Sequence, residues 1–238
     1  MERLPPGHAQ PAPLADGDEL DGFDRARLDP VRTGVFMGSG LGNTADIVPL
    51  AHGILDPDKV WASPMAFAGC VGNAAAFHVA RTLGLEGPNV TVSDEELSFE
   101  GAMLEALSAL TTGEIDHALV GGVDVRTGSD DDQRARMDAR GVPGRVSEGT
   151  GWVLLGAGEG PTVTEAWIGP ADRLFDRVDT GDAAPGWRVD EPCGRPREER
   201  LVPVATAMRL VEDLSAGRVA RAYLQRRGAR AARLRIAP

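Results

Sequence analysis

The segment Gly87–Ser98, GPNVTVSDEELS, is the part of the chain that decides how its fold is interpreted. Its first half, Asn89–Val92, is rich in β-branched residues and follows a Gly-Pro turn signal, which predicts a short strand. Apolar residues then recur at helical spacing from Leu97 onward. The first turn of a helix offers free N–H groups to a developing negative charge, so a strand–turn–helix junction is a suitable place for a nucleophile. Here the turn carries Glu95 and Glu96, which also fit a plain helix start.

The composition is that of an ordinary globular chain, with 42% hydrophobic and 26% charged residues among 238. No apolar run is long enough for a transmembrane helix, and the N-terminus has no signal-peptide core. The two cysteines, Cys70 and Cys193, are far apart and form neither a disulfide framework nor a zinc ligand set. We therefore expect no membrane span, a reducing cytoplasmic setting, no metal and no cofactor.

Charge is distributed unevenly along the chain. The whole chain has a net charge of −11, yet residues 218–238 hold seven arginines and no acid. The acidic remainder argues against a general nucleic-acid surface. Two interpretations stay open for the basic tail: a docking site for an acidic protein, or a solvated helix face folded back on the acidic body.

Strands alternate with helices, which predicts an α/β layered fold with a mixed sheet and buried helices. Asn73 is expected to cap a buried, alanine-rich helix, and 61–72 and 169–202 are expected to be loops. The predicted strands are 31–37, 89–92, 117–120, 151–155 paired with 161–168, and 231–236; the predicted helices are 46–52, 73–83, 98–112, 203–216 and 219–227.

Four blocks in this order resemble the N-terminal half of the β-ketoacyl synthases, which have the thiolase fold. They span about half of the chain: RTGVFMGSGLG (32–42), SPMAFAGCVGNAAAFHVARTLGLEGPNVTV (63–92), EIDHALVGGVD (114–124) and GVPGRVSEGTGWVLLG (141–156). The resemblance implies a thiolase-like α-β-α half. Three regions are then expected: a flexible Pro/Gly/Asp-rich leader over 1–30, the synthase-like domain over 31–168, and a loop, C-terminal helices and the Arg-rich tail over 169–238, packed on the same domain.

The resemblance also locates the catalytic position. In an active synthase the nucleophilic Cys lies eight residues after the Gly-Pro proline, which is Glu96 here. A carboxylate is not a useful acyl carrier. The family's two catalytic histidines come from a C-terminal half that we expect to be absent, and no His follows His117. No catalytic residue is therefore expected, and the chain is similar to the short chain length factors of aryl polyene and type II polyketide systems.

The leading hypothesis is a non-catalytic subunit that pairs as a heterodimer with a full-length ketosynthase and shapes the acyl cavity of a fatty acid or polyketide system. An autonomous acyltransferase or malonyl-ACP decarboxylase that uses Glu96, and a decayed scaffold fragment, stay open as alternatives. The hypothesis assigns Asn89, Val90, Thr91 and Val92 to the subunit interface. It places Phe67, Phe77, Phe99 and Met103 on the cavity wall, and Arg226, Arg227 and Arg230 at a docking site for acyl carrier protein.

Three other motifs have competing interpretations. The loop GSGLG, 38–42, is not GxGxxG, so dinucleotide binding is not expected. Cys70 lies in an apolar segment and is expected to be inert rather than nucleophilic. Asp130, Asp131 and Asp132 are expected to be a solvated loop rather than a metal site, because consecutive acids point in different directions.

Overall fold

Two four-stranded sheets with a helix between them form the core of the protein. A computed structural model describes residues 28–42, 44–58, 64–125, 148–157, 161–171, 188–189, 205–218, 221–227 and 229–238. The elements in chain order are β1 (Thr33–Gly38), α1 (Thr44–Leu55), α2 (Pro64–Cys70), α3 (Ala74–Leu83), β2 (Asn89–Val92), α4 (Ser98–Thr111), β3 (His117–Asp124), β4 (Gly149–Gly156), β5 (Thr162–Pro170), β6 (Arg188–Val189), α5 (Ala205–Ser215), β7 (Arg221–Arg227) and β8 (Arg230–Ala237).

The first sheet has the order β2-β1-β3-β4. Its first three strands are parallel, and β4 runs antiparallel to β3. All six residues of β1 and most of β3 are buried, as expected for parallel strands with both faces covered. On one face, Val35 and Met37 contact Ala76 and Ala80 of α3 in a small cluster. The other face carries Phe36 and Val120 into the main core. The expected α/β class with a mixed sheet is confirmed.

The second sheet has the order β5-β8-β7-β6 and lies on the far side of α4. Tyr223, Leu234 and Ile236 of this sheet share one buried cluster with Phe99 and Met103 of α4. The apolar stripe of α4 is therefore covered by both sheets. The predicted domain boundary at residue 168 falls inside β5, and residues on both sides of it contribute to the same core.

A helix–strand–strand unit occurs twice. Helix α4 leads into β3, which is parallel to β1 and antiparallel to β4; helix α5 leads into β7, which is parallel to β6 and antiparallel to β8. Gly113 and Gly217 end the two helices with positive φ angles of 73° and 69°. Each glycine N–H donates to the carbonyl three residues earlier, and the next N–H donates five residues back. The described residues thus contain this topology on both sides of residue 168.

Two predicted loops or helices are different in the structure. Residues 64–70 form α2 rather than a loop, because Pro64 suits the first position of a helix and good helix formers follow it. Residues 221–227 form strand β7 rather than a helix, since pairing with β6 and β8 and burial of Tyr223 override local helix propensity.

Two predicted contacts are also wrong. Strands β4 and β5 do not form a hairpin: β4 pairs with β3, and β5 pairs with β8 in the other sheet. Helix α3 is half-exposed rather than buried: Ala76 and Ala80 are its buried residues, Val79 and Leu83 pack on the sheet only partly buried, and Phe77 is exposed. Asn73 precedes α3 but makes no side-chain capping hydrogen bond. Most of the leader and the residues 130–132 lie outside the described residues.

Candidate functional site

The predicted nucleophile position lies at a sharp junction between β2 and α4. After Val92 the chain turns through Ser93 and Asp94 and makes a single 3₁₀ turn, Glu95–Leu97, before α4 begins. Glu95 has a φ of +50°, the only positive φ among the described non-glycine residues. This conformation is sparsely populated for a residue with a side chain, and such residues cluster at functional sites. We call residues 93–97 the elbow.

Buried Ser98 holds the elbow in this conformation. Its hydroxyl accepts a hydrogen bond from the Asp94 N–H at 2.8 Å and donates one to the Glu95 carbonyl at 2.6 Å. The backbone on both sides of Glu95 is therefore fixed by one side chain. Ser98 thus has a positioning role in the fold, and its own oxygen is occupied rather than available for chemistry.

The ends of β1 and β3 anchor the elbow from below. The Ser93 hydroxyl donates to the Ser39 carbonyl at 3.0 Å, and the Ser39 N–H donates to the Val92 carbonyl at 3.0 Å. Buried Asp124, at the end of β3, accepts hydrogen bonds from the Ser39 hydroxyl at 3.1 Å and from the Leu41 N–H at 2.9 Å. The GSGLG loop is therefore tied to Asp124 and supports the elbow, which gives its polar groups a structural role.

Gly38 lets the elbow sit directly on β1. A Cβ at this position would lie 2.5 Å from the backbone of Ser98 and Phe99. Only glycine permits this close approach of a strand end to a helix start. The glycines of this loop belong to the synthase-like block 32–42, and the contact with α4 is the physical reason for the first of them.

The second helix–strand–strand unit also contacts the elbow. The Arg230 guanidinium, at the start of β8, donates to the Asp94 carboxylate at 2.7 Å. Sequence reasoning missed this pair because its residues are 136 positions apart. Arg230 was expected to dock a carrier protein; the structure places its guanidinium at the elbow, and the docking role stays a prediction. Arg226 and Arg227 lie on β7, on a strand rather than on the expected helix. Arg233 is buried and paired with Glu165, so the basic tail is not a solvated helix face.

The four residues expected on an acyl cavity wall are not brought together. Phe99 and Met103 are fully buried between the two sheets. Phe67 on α2 and Phe77 on α3 are 64% and 52% exposed, on the other side of the first sheet. Glu96 lies at the start of α4, half-buried, and the structure places it beside Glu95 at the elbow.

The remaining candidates lie away from the elbow. Partial burial, with a smaller contribution from the Asp46 carboxylate, raises the pKa of the Cys70 thiol, which reduces its nucleophilicity at neutral pH. His117 begins β3 at the end of the strand opposite the elbow, roughly 20 Å away. Cys193 lies outside the described residues. In the part of the chain that the structure describes, no helix is long and apolar enough to cross a membrane, and no three metal-ligating side chains are grouped.

Comparison with known families identifies this architecture. Residues 19–142, just over half of the chain, match the family model of the β-ketoacyl synthase N-terminal domain. The chain belongs to the β-ketoacyl synthase family. The resemblance inferred from the sequence is thus confirmed.

Curated relatives of this synthase-like chain include much longer proteins. It is 33% identical over 144 residues to the polyketide synthase GfsA of Streptomyces halstedii, which covers 56% of this chain and 2% of that protein. It is 32% identical over 148 residues to mycoketide-CoA synthase of Mycobacterium tuberculosis, covering 57% of this chain and 3% of that protein. The chain therefore spans only a few per cent of these relatives.

Solved structures share the fold of this synthase-like chain across both sheets. The ishigamide ketosynthase/chain length factor aligns with a TM-score of 0.68 at 19% identity, over 88% of this chain and 73% of that one. The AntDE:AntF complex of a type II ketosynthase with its carrier protein aligns with a TM-score of 0.64 at 13% identity, over 91% and 78%. The ketosynthase ApeO in complex with its chain length factor ApeC, from Xenorhabdus doucetiae, aligns with a TM-score of 0.53 at 13% identity, over 87% and 70%.

Proposed function

We propose that this chain is a non-catalytic, chain-length-factor-like subunit that pairs with an active ketosynthase and helps to shape the cavity for a growing acyl chain. The observation that carries the proposal is the elbow: its strand, turn and helix have the geometry that positions a nucleophile, yet it presents Glu95 and Glu96. An acyl group on a carboxylate would be an anhydride, which water hydrolyses readily, so the elbow cannot hold an acyl intermediate as a thiolate does.

The surroundings of the elbow support the same conclusion. Both nearby hydroxyls have structural partners, Ser93 with the Ser39 carbonyl and Ser98 with the backbone around Glu95. A nucleophile also needs a base within hydrogen-bond reach. Among the described residues, the histidines lie on α1, on α3 and at the far end of β3. Shaping a cavity in a partnered enzyme requires none of these groups.

The edge of the first sheet is the surface that we propose for the partner. Strand β2 is the outermost strand of this sheet among the described residues. The carbonyls of Pro88 and Val92 accept hydrogen bonds from β1. Every second residue of a strand directs its N–H and C=O to the same side, so Val90 also directs its backbone groups toward β1. Asn89 and Thr91 therefore direct theirs outward. Unpaired strand edges readily pair with another chain, and Asn89 and Thr91 are the residues that would form the new ladder.

An apolar helix surface adjoins this edge. Large exposed apolar patches usually mark interaction sites. Helix α3 packs against both β1 and β2, so an interface across β2 extends naturally onto these helices. The apolar helix surface consists of Ile47, Val48, Ile54 and Leu55 on α1, Met65 and Phe67 on α2, Val71 shortly before α3, and Phe77 on α3.

The proposed partners follow from the named neighbours as well as from the surface. Two of the similar structures contain a ketosynthase with a chain length factor, and a third contains a ketosynthase with its carrier protein. We therefore propose a ketosynthase as the direct partner and an acyl carrier protein as the transient one. Arg226 and Arg227 stay as the proposed carrier contacts, whereas Arg230 contacts Asp94 and is assigned to the elbow.

Coexpression with a type II ketosynthase tests the proposal. We expect a stable heterodimer by light scattering. Thr91→Pro should raise the Kd of the heterodimer by about tenfold or more, because proline lacks the outward-directed N–H and places its ring where the partner strand would pair with β2. Thr91→Val is the matched control: it removes the hydroxyl, keeps the N–H and should bind nearly as well as the unchanged chain.

The same preparation separates the alternatives. The isolated chain should release no CO2 from malonyl-loaded carrier protein, and Glu96→Gln should leave the heterodimer and its product length unchanged. Decarboxylation by the isolated chain that Glu96→Gln abolishes would instead establish the catalytic alternative. A chain that stays monomeric beside the ketosynthase would contradict the subunit role.

A further inference from the structure

Glu100 is a buried carboxyl group inside the helix that starts at the elbow. It lies one helical turn after Glu96 on α4 and is 3% exposed. Neither of its carboxyl oxygens has a partner at hydrogen-bond distance and angle within the described residues. Acidic side chains are almost never fully buried unless they are paired, and the charged form is far costlier to bury than the neutral one. The structure therefore favours a protonated Glu100.

The contact between α4 and α5 surrounds this carboxyl. Burial raises the pKa of Glu100 to about 7. The nearby Thr206 hydroxyl, in the first turn of α5, and the Glu100 backbone oppose part of this rise, although neither reaches the carboxyl oxygens with the distance and angle of a hydrogen bond. No charged group is among these causes. The charged and titratable residues on the described elements that pack against α4 are Glu95 and Glu96 in the elbow, His117 and Asp124 on β3, Glu165 on β5, Arg230, Arg233 and Arg235 on β8, and Arg209, Glu212 and Asp213 on α5.

Helix α5 packs mainly on β4, where Met208 lies against Gly149, and its contact with α4 is smaller. Buried Ala207 and Leu210 attach α5 to the main core. A Cβ at Gly151 of β4 would lie 2.6 Å from the Ala207 carbonyl oxygen, so α5 lies close against β4. Its other described residues are partly or fully exposed apart from Thr206. Since the Thr206 hydroxyl is the polar side-chain group of α5 that acts on Glu100, we expect an ionised Glu100 to gain water at the first turn of α5.

We propose that Glu100 is a proton-controlled lock between α4 and α5: the neutral carboxyl lets the two helices close, and its ionisation hydrates the contact and releases the first turns of α5. Since α5 begins the second helix–strand–strand unit, the lock couples the attachment of that unit to proton concentration near neutrality. The proposal uses no property of the proposed subunit role and stands or falls separately from it.

The sign of the pH dependence follows from the direction of the pKa shift. An exposed glutamate in the unfolded chain loses its proton near its ordinary pKa of 4.5, whereas native Glu100 keeps its proton up to about pH 7. Between these values the native state binds more protons, so stability falls as pH rises. One proton changes the folding equilibrium constant by at most about tenfold per pH unit, and this contribution is constant above the native pKa.

Urea unfolding between pH 5 and 8.5 tests the lock, with Glu100→Gln as the decisive variant. Gln keeps the shape of the side chain and cannot ionise. The folding equilibrium constant of the unchanged chain should fall between pH 5 and 7, with Glu100 contributing up to about tenfold per pH unit, and Glu100→Gln should lack this contribution. Glu105→Gln is the matched control, because Glu105 is exposed on the same helix. It should show the same decline as the unchanged chain, and equal declines in all three proteins would overturn the proposal.

Hydrogen exchange of the unchanged chain tests the location of the effect and needs no variant. After correction for intrinsic exchange rates, amides of α5 should be less protected at pH 8 than at pH 6 by up to about tenfold, the limit for one proton with this pKa shift, and those in the second half of α4 should change less. Equal protection of α5 at both pH values would overturn the proposal even if Glu100→Gln failed to fold.

Discussion

The two helix–strand–strand units of this protein share a topology but differ in what they carry. The first unit, α4-β3-β4, has an apolar β3 whose end meets the elbow, so the polar groups of this unit are concentrated around Ser98 and Asp124. The second unit, α5-β7-β8, has arginine-rich strands and reaches the elbow through Arg230. The same backbone topology therefore has two roles here: the first unit forms most of the elbow's surroundings, and both units contribute buried side chains to the shared core.

The facing helices differ in a reciprocal way. Ten residues before the capping glycine, α4 has Met103 and α5 has Ala207; seven residues before it, α4 has Ala106 and α5 has Leu210. All four are buried in the same cluster. Alternating large and small side chains across a shared core allows close packing without voids. The two units are therefore expected to unfold together.

The largest expected effect on stability comes from truncating a side chain in this shared core. Met103→Ala and Leu210→Ala should each lower the free energy of unfolding by about 2–5 kcal/mol, the usual range for truncating a buried large side chain. The two variants should show one cooperative transition each, with coincident far-UV circular dichroism and tryptophan fluorescence during urea unfolding. Leu55→Ala, at an exposed position, should change stability by less than about 0.5 kcal/mol. Two separate transitions in Leu210→Ala would mean that the units have independent cores.

A smaller effect is expected at the glycines that end the two helices, and it tests whether the backbones of the two units are equivalent there. Gly113→Ala and Gly217→Ala should each cost about 1 kcal/mol, because both glycines have positive φ and a Cβ there meets no atom within 4 Å. Only backbone strain is then measured. Gly53→Ala is the control of opposite sign: Gly53 lies inside α1 with open space around it, so alanine should stabilise by roughly 0.5–1 kcal/mol. Unequal losses at the two caps would show that the units are not equivalent there.

The smallest expected effect concerns the connection between the second unit and the elbow. Arg230→Met and Asp94→Asn should each reduce stability slightly, with a coupling of about 0.2–1 kcal/mol in a double-mutant cycle, since the Arg230 side chain is largely exposed. Hydrogen exchange at Glu95–Leu97 should accelerate in both variants. Unchanged exchange at these amides would mean that Ser98 holds the elbow without help from β8.

Several local elements of the fold could be predicted from the sequence alone. Strand Asn89–Val92 and helices α3, α4 and α5 lie where periodicity and capping glycines predicted them, because these signals come from neighbours in the chain. The family resemblance and the Glu at the Cys position were also readable, since they depend on spacing along the sequence. Glu95 itself was visible, but no local signal for its positive φ accompanies the turn.

The other features of the fold and of the elbow depend on tertiary contacts, because these contacts join residues that are distant in the sequence. Residues 221–227 have helix-compatible composition, and pairing with β8 makes them a strand. Strand β5 could equally have closed a hairpin with β4, and the second sheet captures it instead. Arg230 meets Asp94 and Thr206 faces Glu100 because two units are folded onto one core. Burial and long-range pairing outweigh local preference by several kcal/mol, so these features cannot be read along the chain.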